Sequence, residues 1–129
     1  MKNIIFVLAV ALLSACIVER PWYTGEFKFI NNSGFDLKLI PNKPYHVVYN
    51  DTIYIPNDST FTIPYSDDGY PISPFQVASL TIIFENQKSK TYFANDTDPR
   101  NPLYIEAYTA QKISETNILF EYILSVDNM

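Results

Sequence analysis

The chain has 129 residues, an aromatic content of 16% and a formal net charge of −5. This length corresponds to one ordinary domain, and an acidic balance without a basic run argues against nucleic acid as a partner. A single cysteine excludes a disulfide within the chain, so the fold has to rest on its apolar and aromatic side chains.

The first fifteen residues have the three-part layout of a secretory signal. Lys2 gives the start a positive charge, residues 4–13 form an unbroken apolar run, and the small residues Ser14 and Ala15 follow. The run holds ten residues, whereas a transmembrane helix needs roughly twenty. We therefore expect a cleaved signal peptide and not a membrane span.

The four residues Leu13-Ser14-Ala15-Cys16 end this run and contain the only cysteine. They resemble the bacterial lipoprotein signal, whose pattern is Leu-(Ser/Ala)-(Ala/Gly)-Cys, at all four positions. The resemblance implies cleavage after Ala15, a diacylated Cys16 and a membrane anchor in the bacterial envelope, where we expect the outer membrane. An ordinary signal peptide with a cysteine beside its cleavage site is the alternative. The expected division is a signal peptide at 1–15, a lipidated tether at 16–23 and a folded domain at 24–129.

Alternation of apolar and polar residues predicts β-strands along most of the remaining chain. The apolar faces are clearest in residues 24–31, 35–40, 77–85 and 117–126. Shorter strands are predicted at 45–49, 51–55, 59–63 and 90–93, with a long loop at 64–74. Seven or eight strands with almost no helix predict an all-β, immunoglobulin-like antiparallel β-sandwich.

Several local patterns give finer predictions. A three-residue loop ending in Gly34 would pair Phe29 with Leu37 in a hairpin, and Gly34 would then have a positive φ. Asn101 followed by Pro102 predicts the start of a short helix or helical turn. The long apolar strand at 117–126 is expected to be central or well covered.

The two aromatic residues at the end of the tether, Trp22 and Tyr23, could lie at the lipid interface. We favour the alternative that they cap the first strand, because aromatic side chains are ordinary core material.

Three segments of the domain resemble small envelope lipoproteins of Bacteroides-type bacteria. They are Asn-Asn-Ser-Gly at 31–34, Asp-Thr-Ile-Tyr-Ile-Pro at 51–56 and Asp-Pro-Arg-Asn-Pro-Leu at 98–103. Those proteins mostly have no assigned activity, so the resemblance implies a location in the cell envelope but no mechanism. It also implies O-glycosylation at a three-residue motif, in which Asp is followed by Ser or Thr and then by an aliphatic residue or Thr. Thr52 and Ser59 are the middle residues of two segments that fit this motif.

Catalytic side chains are scarce. The only histidine, His46, lies in a predicted strand without a visible nucleophile, and three glycines leave no nucleotide-binding loop. The acid pairs Asp67-Asp68 and Asp96-x-Asp98 could bind calcium or form a glycosidase pair, but both lie in predicted turns, where aspartate is favoured for backbone reasons. We therefore expect no enzymatic activity, no metal and no cofactor.

Tyrosines are the more informative group. Seven of them are expected in or near loops: Tyr45, Tyr49, Tyr65, Tyr70, Tyr92, Tyr104 and Tyr108. Clustered at one end of the sandwich they could stack on sugar rings or hold a peptide, although packing within the sheets uses the same residues and is favoured.

These observations together favour a lipid-anchored, non-enzymatic binding or accessory domain with a protein or glycan ligand. A small glycan-active hydrolase is one alternative, and it requires two acids that face each other across an open cleft. A structural surface-coat component is another, and it requires a long exposed edge strand.

Overall fold

The computed structural model describes residues 19–44 and 52–128, and this part of the chain contains eight strands and two short 3-10 turns. The strands are β1 (Tyr23–Asn31), β2 (Leu37–Pro44), β3 (Ile53–Ile55), β4 (Thr60–Asp67), β5 (Val77–Phe84), β6 (Ser89–Phe93), β7 (Thr109–Lys112) and β8 (Asn117–Leu124). They form two four-stranded sheets with one shared core of apolar side chains. The expected all-β sandwich is therefore confirmed in its class and layering.

The first sheet has the order β4-β1-β8-β7 and the second the order β3-β2-β5-β6. The β1–β8 pair is parallel, and the other pairs are antiparallel. The expectation of a purely antiparallel sandwich is wrong for this pair, because strands so far apart along the chain need no tight turn between them. β8 lies between β1 and β7, which confirms its predicted central place.

The predicted hairpin between β1 and β2 does not form, because the two strands belong to different sheets. Phe29 lies opposite Phe61 and Tyr122, whereas Leu37 lies opposite Ile55 and Phe84. The apolar faces of the two strands instead pack against each other across the sandwich. Alternating apolar and polar residues are compatible with this arrangement as well as with a hairpin. Gly34 has a φ of +82°, but it belongs to a crossover and not to the hairpin for which this value was predicted.

The core is rich in aromatic rings. Phe27 stacks on Phe120 with ring centroids 5.1 Å apart and meets Tyr108 edge to face at 5.4 Å. Phe29 and Tyr92 are fully buried. Such rings bury large apolar areas, and they contribute the stability that a small domain otherwise obtains from disulfides.

Some local predictions hold only in part. The helical turn predicted near Asn101 is present as a 3-10 turn at Ile105–Ala107, but it begins after Tyr104 and not at Asn101, whose buried side chain bonds to the Phe93 carbonyl of β6. β4 continues through Pro64, which was assigned to a loop, and β4 tolerates proline because it is an edge strand. β7 was not predicted, because its four residues are all exposed and show no alternation. The strand predicted at 45–49 lies outside the described residues.

The strand directions define two ends of the sandwich. The entry end contains Tyr23, which lies opposite Asp67, and the loop at 113–116, which bonds to Thr24 through Thr116. The far end contains the loops at 32–36, 56–59 and 85–88, which are joined by backbone hydrogen bonds from Asn31 to Ser59 and from Glu85 to Asp36. β1 connects the two ends over nine residues, a distance of about 25–30 Å at the usual rise per residue.

Candidate functional site

A groove of about 520 Å³ opens on the outer face of the second sheet, at the far end. Tyr54, Lys38, Ile83 and Ser89 form one cross-strand row in it, contributed by β3, β2, β5 and β6. Asp36, Ile40, Glu85 and Gln87 also line it, and the buried Leu37 and Phe84 border it. We refer to this surface as the far-end groove.

The groove combines an apolar floor with a charged rim. Ile40 and Ile83 are half-buried in the floor, and the Tyr54 side chain stands at the rim with 54% of its surface exposed. Lys38 carries a positive charge, while Asp36 and Glu85 carry negative charges. Apolar surface with a few oriented polar groups is the usual composition of a ligand site.

The Tyr54 ring is held in place through Asp36. The Tyr54 hydroxyl donates a hydrogen bond to Oδ2 of Asp36 at 2.7 Å, and the backbone N–H of Asn57 donates to Oδ1 at 2.8 Å. The bond from Tyr54, followed by that from Asn57, holds the pKa of Asp36 below its ordinary value, and the same bond to Asp36 raises the pKa of Tyr54. At neutral pH the pair is therefore a carboxylate that accepts from a neutral phenol.

A buried asparagine fixes the loops that carry this pair. The side chain of Asn31 is fully buried, and its amide donates to the carbonyl oxygens of Phe35 at 2.8 Å, Ile55 at 3.0 Å and Pro56 at 3.0 Å. Its Oδ1 accepts from the backbone N–H of Ser33 at 3.1 Å and from the Ser33 hydroxyl at 2.6 Å. Asn31 thus joins the loop before Asp36 to the end of the strand that carries Tyr54.

The two acid pairs bond to their own loops. The backbone N–H of Asp68 donates to Asp67 Oδ1 at 2.7 Å, and that of Asp98 donates to Asp96 Oδ1 at 3.2 Å. The Asp96 contact is the turn contact that the sequence predicted, whereas Asp67 is the last residue of β4 and bonds to the residue that follows it. Within residues 19–44 and 52–128, three or more His, Cys, Asp or Glu side chains nowhere gather in a group that could hold a metal ion.

Asp98 should make stability depend on acid pH. Arg100 donates to it through Nε at 3.2 Å and Nη2 at 3.3 Å, and Lys90 Nζ lies at 3.4 Å. Chiefly the Arg100 bonds lower the pKa of Asp98 to about 2. A carboxyl whose pKa is lower in the folded chain stabilises the fold at pH values above the unfolded pKa, and this contribution is lost as pH falls from about 4 to about 2.

An Asp98→Asn variant should therefore have a lower free energy of unfolding than wild type at pH 5, as measured in urea. This difference should shrink as pH falls from about 4 to about 2. The same substitution at the exposed Asp127 corrects for the loss of one negative charge. A deficit at position 98 that is identical at pH 5 and pH 2 would contradict the role given to the Arg100 contacts.

Of the seven tyrosines predicted in or near loops, five lie in the described residues, and they are spread between the core, the entry end and the loop after β6. Tyr92 and Tyr108 are buried, which confirms the favoured packing role for these two. The hydroxyl of Tyr104 donates to the Ala94 carbonyl, and that of Tyr65 donates to the Ile118 carbonyl at 2.9 Å. Tyr70 is 51% exposed at the entry end. Tyr45 and Tyr49 lie outside the described residues.

The predicted modification sites have different surroundings. Thr52 is exposed directly before β3, whereas Ser59 is half-buried and its N–H donates to the Pro56 carbonyl at 3.2 Å. Cys16 and His46 lie outside the described residues. The lipidation and O-glycosylation sites therefore stay predictions.

The groove itself was not predicted. Asp36 and Tyr54 were assigned to strands, and nothing local in the sequence indicates that one bonds to the other. A signal was present at Asn31, a polar residue at the end of an apolar strand face, but it was interpreted only as part of a turn.

Comparison with known proteins found no family model, no curated protein and no solved structure that matches the chain. No helix within residues 19–44 and 52–128 is long and apolar enough to span a bilayer.

Proposed function

We propose that the chain is an envelope lipoprotein, anchored through acylated Cys16, whose domain binds a partner in the far-end groove as a non-enzymatic binding or accessory subunit. The outer membrane is its proposed location. The proposed partner is a segment of an envelope protein, because Lys38 beside Asp36 and Glu85 offers charges of both signs around an apolar floor. Thr52 and Ser59 are proposed sites of O-glycosylation.

The position of the groove relative to the tether carries the proposal. The tether enters at Tyr23, and the groove lies at the opposite end of β1. Six residues separate Cys16 from Tyr23, and a chain of that length spans at most about 20–25 Å. A lipid on Cys16 would hold the entry end close to the membrane and turn the groove away from it.

We further propose that the domain is immunoglobulin-like in architecture. Domains of that kind share two packed sheets without always sharing a strand order. Here the first two strands lie in different sheets, so the likeness proposed concerns the layers and not the order of strands.

The alternative roles have less support. A glycan hydrolase needs two acids that face each other across a cleft. Asp36 and Glu85 both line the far-end groove, but both carboxylate oxygens of Asp36 already accept hydrogen bonds, from Tyr54 and Asn57. Asp98 is engaged by Arg100 and Lys90. A surface coat built by strand pairing needs a long open edge. The edge strands β3, β6 and β7 have three, five and four residues, and β4 carries Pro64.

Metabolic labelling tests the anchor. Cells that express the full chain are grown with a clickable palmitate analogue, and the wild-type protein should become labelled while Cys16→Ser should not. Ser14→Ala keeps the lipoprotein pattern and should be labelled like wild type. Equal labelling of wild type and Cys16→Ser would contradict the proposed anchor.

Site-specific photocrosslinking tests the groove. A benzophenone amino acid at Tyr54 in the full chain should give a discrete cross-linked protein in living cells. The same amino acid at Ile123, which is equally exposed on the outer face of the other sheet, should not. A Lys38→Glu change should weaken the Tyr54 adduct because it reverses the charge beside the ring. Identical adducts from positions 54 and 123 would show that the groove has no special role.

A further inference from the structure

The most exposed large hydrophobic side chains are concentrated at one end of the sandwich. Among the described residues they are Ile72, Ile113 and Trp22, with 76%, 61% and 59% of their surface exposed. Single exposed apolar residues are common on soluble proteins, but neighbouring ones mark an interaction surface.

Contacts at the entry end show that the segments carrying these residues are neighbours. Trp22 Nε1 donates to Ser66 Oγ at 2.7 Å, which joins the tether to the end of β4. Ile72 shares a cavity with Tyr65, and Tyr65 also lines the adjoining cavity that contains Ile113. The segments that carry the three side chains therefore adjoin one another where the chain enters the domain.

Tyr23 and Tyr70 support this surface from behind. Their rings meet edge to face at 5.5 Å, and Tyr70 also packs on Phe120 of the core at 6.0 Å. Tyr23 is half-buried and caps the first strand as expected, whereas Trp22 beside it stays exposed. Trp22 is therefore available for a partner outside the domain.

We infer that Trp22, Ile72 and Ile113 form a lipid footprint that rests in the interfacial layer of the membrane and sets the orientation of the domain. The inference rests on the proposed acylation of Cys16, which would bring this end within one short tether of the bilayer. Tryptophan is enriched at membrane interfaces because its ring is apolar and its N–H is polar, and isoleucine contributes apolar area.

The charges near the footprint indicate the kind of lipid surface. Asp67, Asp68, Glu115, Glu19 and Glu26 outnumber Lys112 and Arg20 at this end, so anionic headgroups would not attract it. Contact should therefore come from apolar insertion into a neutral surface. Adding anionic lipid should leave the contact unchanged or weaken it.

Trp22 provides a direct readout, because it is the only tryptophan of the chain. Mature acylated protein is reconstituted into phosphatidylcholine vesicles with or without brominated acyl chains, and mass spectrometry of the same sample measures acylation. Brominated lipid should reduce Trp22 emission by about half, and the vesicles should protect it from acrylamide, because an interfacial ring lies within reach of the acyl chains. Replacing a third of the lipid with phosphatidylglycerol should not increase the quenching.

A matched set of variants separates the footprint from the anchor. The double variant Ile72→Ser/Ile113→Ser should lose most of the quenching, whereas Ile123→Ser removes an equally accessible isoleucine elsewhere and should keep it. If the wild type is acylated but brominated lipid does not quench its Trp22 emission, the footprint is wrong and the proposed lipid anchor is unaffected. Protection from acrylamide without such quenching would show that a second copy of the chain, and not the acyl chains, covers Trp22, and it would overturn the footprint as well. Absence of acylation by mass spectrometry would overturn the proposed function and the footprint together.

Discussion

A Gly25→Ala variant should lose most of its stability or fail to fold. Gly25 has a φ of +152°, and a Cβ at this position would lie 2.0 Å from the Ile118 carbonyl oxygen and 2.7 Å from the Tyr65 hydroxyl oxygen. These two atoms are bonded to each other at 2.9 Å next to the β1–β8 ladder, so neither can move without breaking that contact. Strain and overlap together should cost on the order of 3 kcal/mol or more, to be measured by denaturant unfolding.

The two other glycines of the chain provide graded controls. Gly34 also has a positive φ, of +82°, but a Cβ there meets nothing within 4 Å, so Gly34→Ala should cost only about 1 kcal/mol of backbone strain. Gly69 has open space and no positive φ, so Gly69→Ala should leave the unfolding midpoint almost unchanged. If Gly25→Ala unfolded at the same denaturant concentration as Gly69→Ala, the inference that β1 approaches β8 too closely for a Cβ at Gly25 would be wrong.

Alternation along the sequence predicts which side chains face the core but not which sheet they belong to. Phe27, Phe29, Leu37 and Leu39 were predicted to face inwards and are buried, whereas Phe35, which was assigned to the same face, precedes β2 and is 37% exposed. Both a hairpin and a crossover between sheets satisfy that alternation. The choice depends on partners such as Phe61 and Tyr122, which lie far along the chain and leave no local mark.

Side-chain bonds to nearby backbone are more predictable than contacts between loops. The turn role of Asp96 and Asp98 was predicted correctly, because an aspartate bonds to an N–H two residues on. Asn101 shows the limit of such patterns. Its Oδ1 accepts from the N–H of Leu103 at 3.0 Å, as a helix cap would. Its amide also donates to the Phe93 carbonyl at 2.8 Å, so this buried side chain fixes the segment after β6 to the end of that strand.

Asn31→Ala should destabilise the whole domain and disorganise the far-end groove. The substitution removes the donors for the carbonyl oxygens of Phe35, Ile55 and Pro56 and the acceptor for Ser33. Phe35 and Pro56 keep a second donor, the Ser33 hydroxyl and the Ser59 N–H, so the buried bond to Ile55 and the space left by the side chain account for most of the cost. A lost buried hydrogen bond costs about 1–3 kcal/mol, and with the cavity the expected loss is on the order of 3 kcal/mol. Asn31→Asp should be at least as harmful at neutral pH, because a carboxylate cannot donate and would face three carbonyl oxygens in a buried site.

Two other asparagines test whether the bond network and not the residue type is responsible. Asn42 is half-buried and its amide donates to Thr81 Oγ1 at 3.1 Å, so Asn42→Ala should cost about 1 kcal/mol or less. Asn101→Ala should resemble Asn31→Ala, because both side chains are fully buried. Hydrogen exchange adds a local readout, since the Asn57 N–H bonds to Asp36 and should exchange faster in Asn31→Ala than in Asn101→Ala. Equal exchange at Asn57 in the two variants would show that Asn31 does not hold the loops that build the groove.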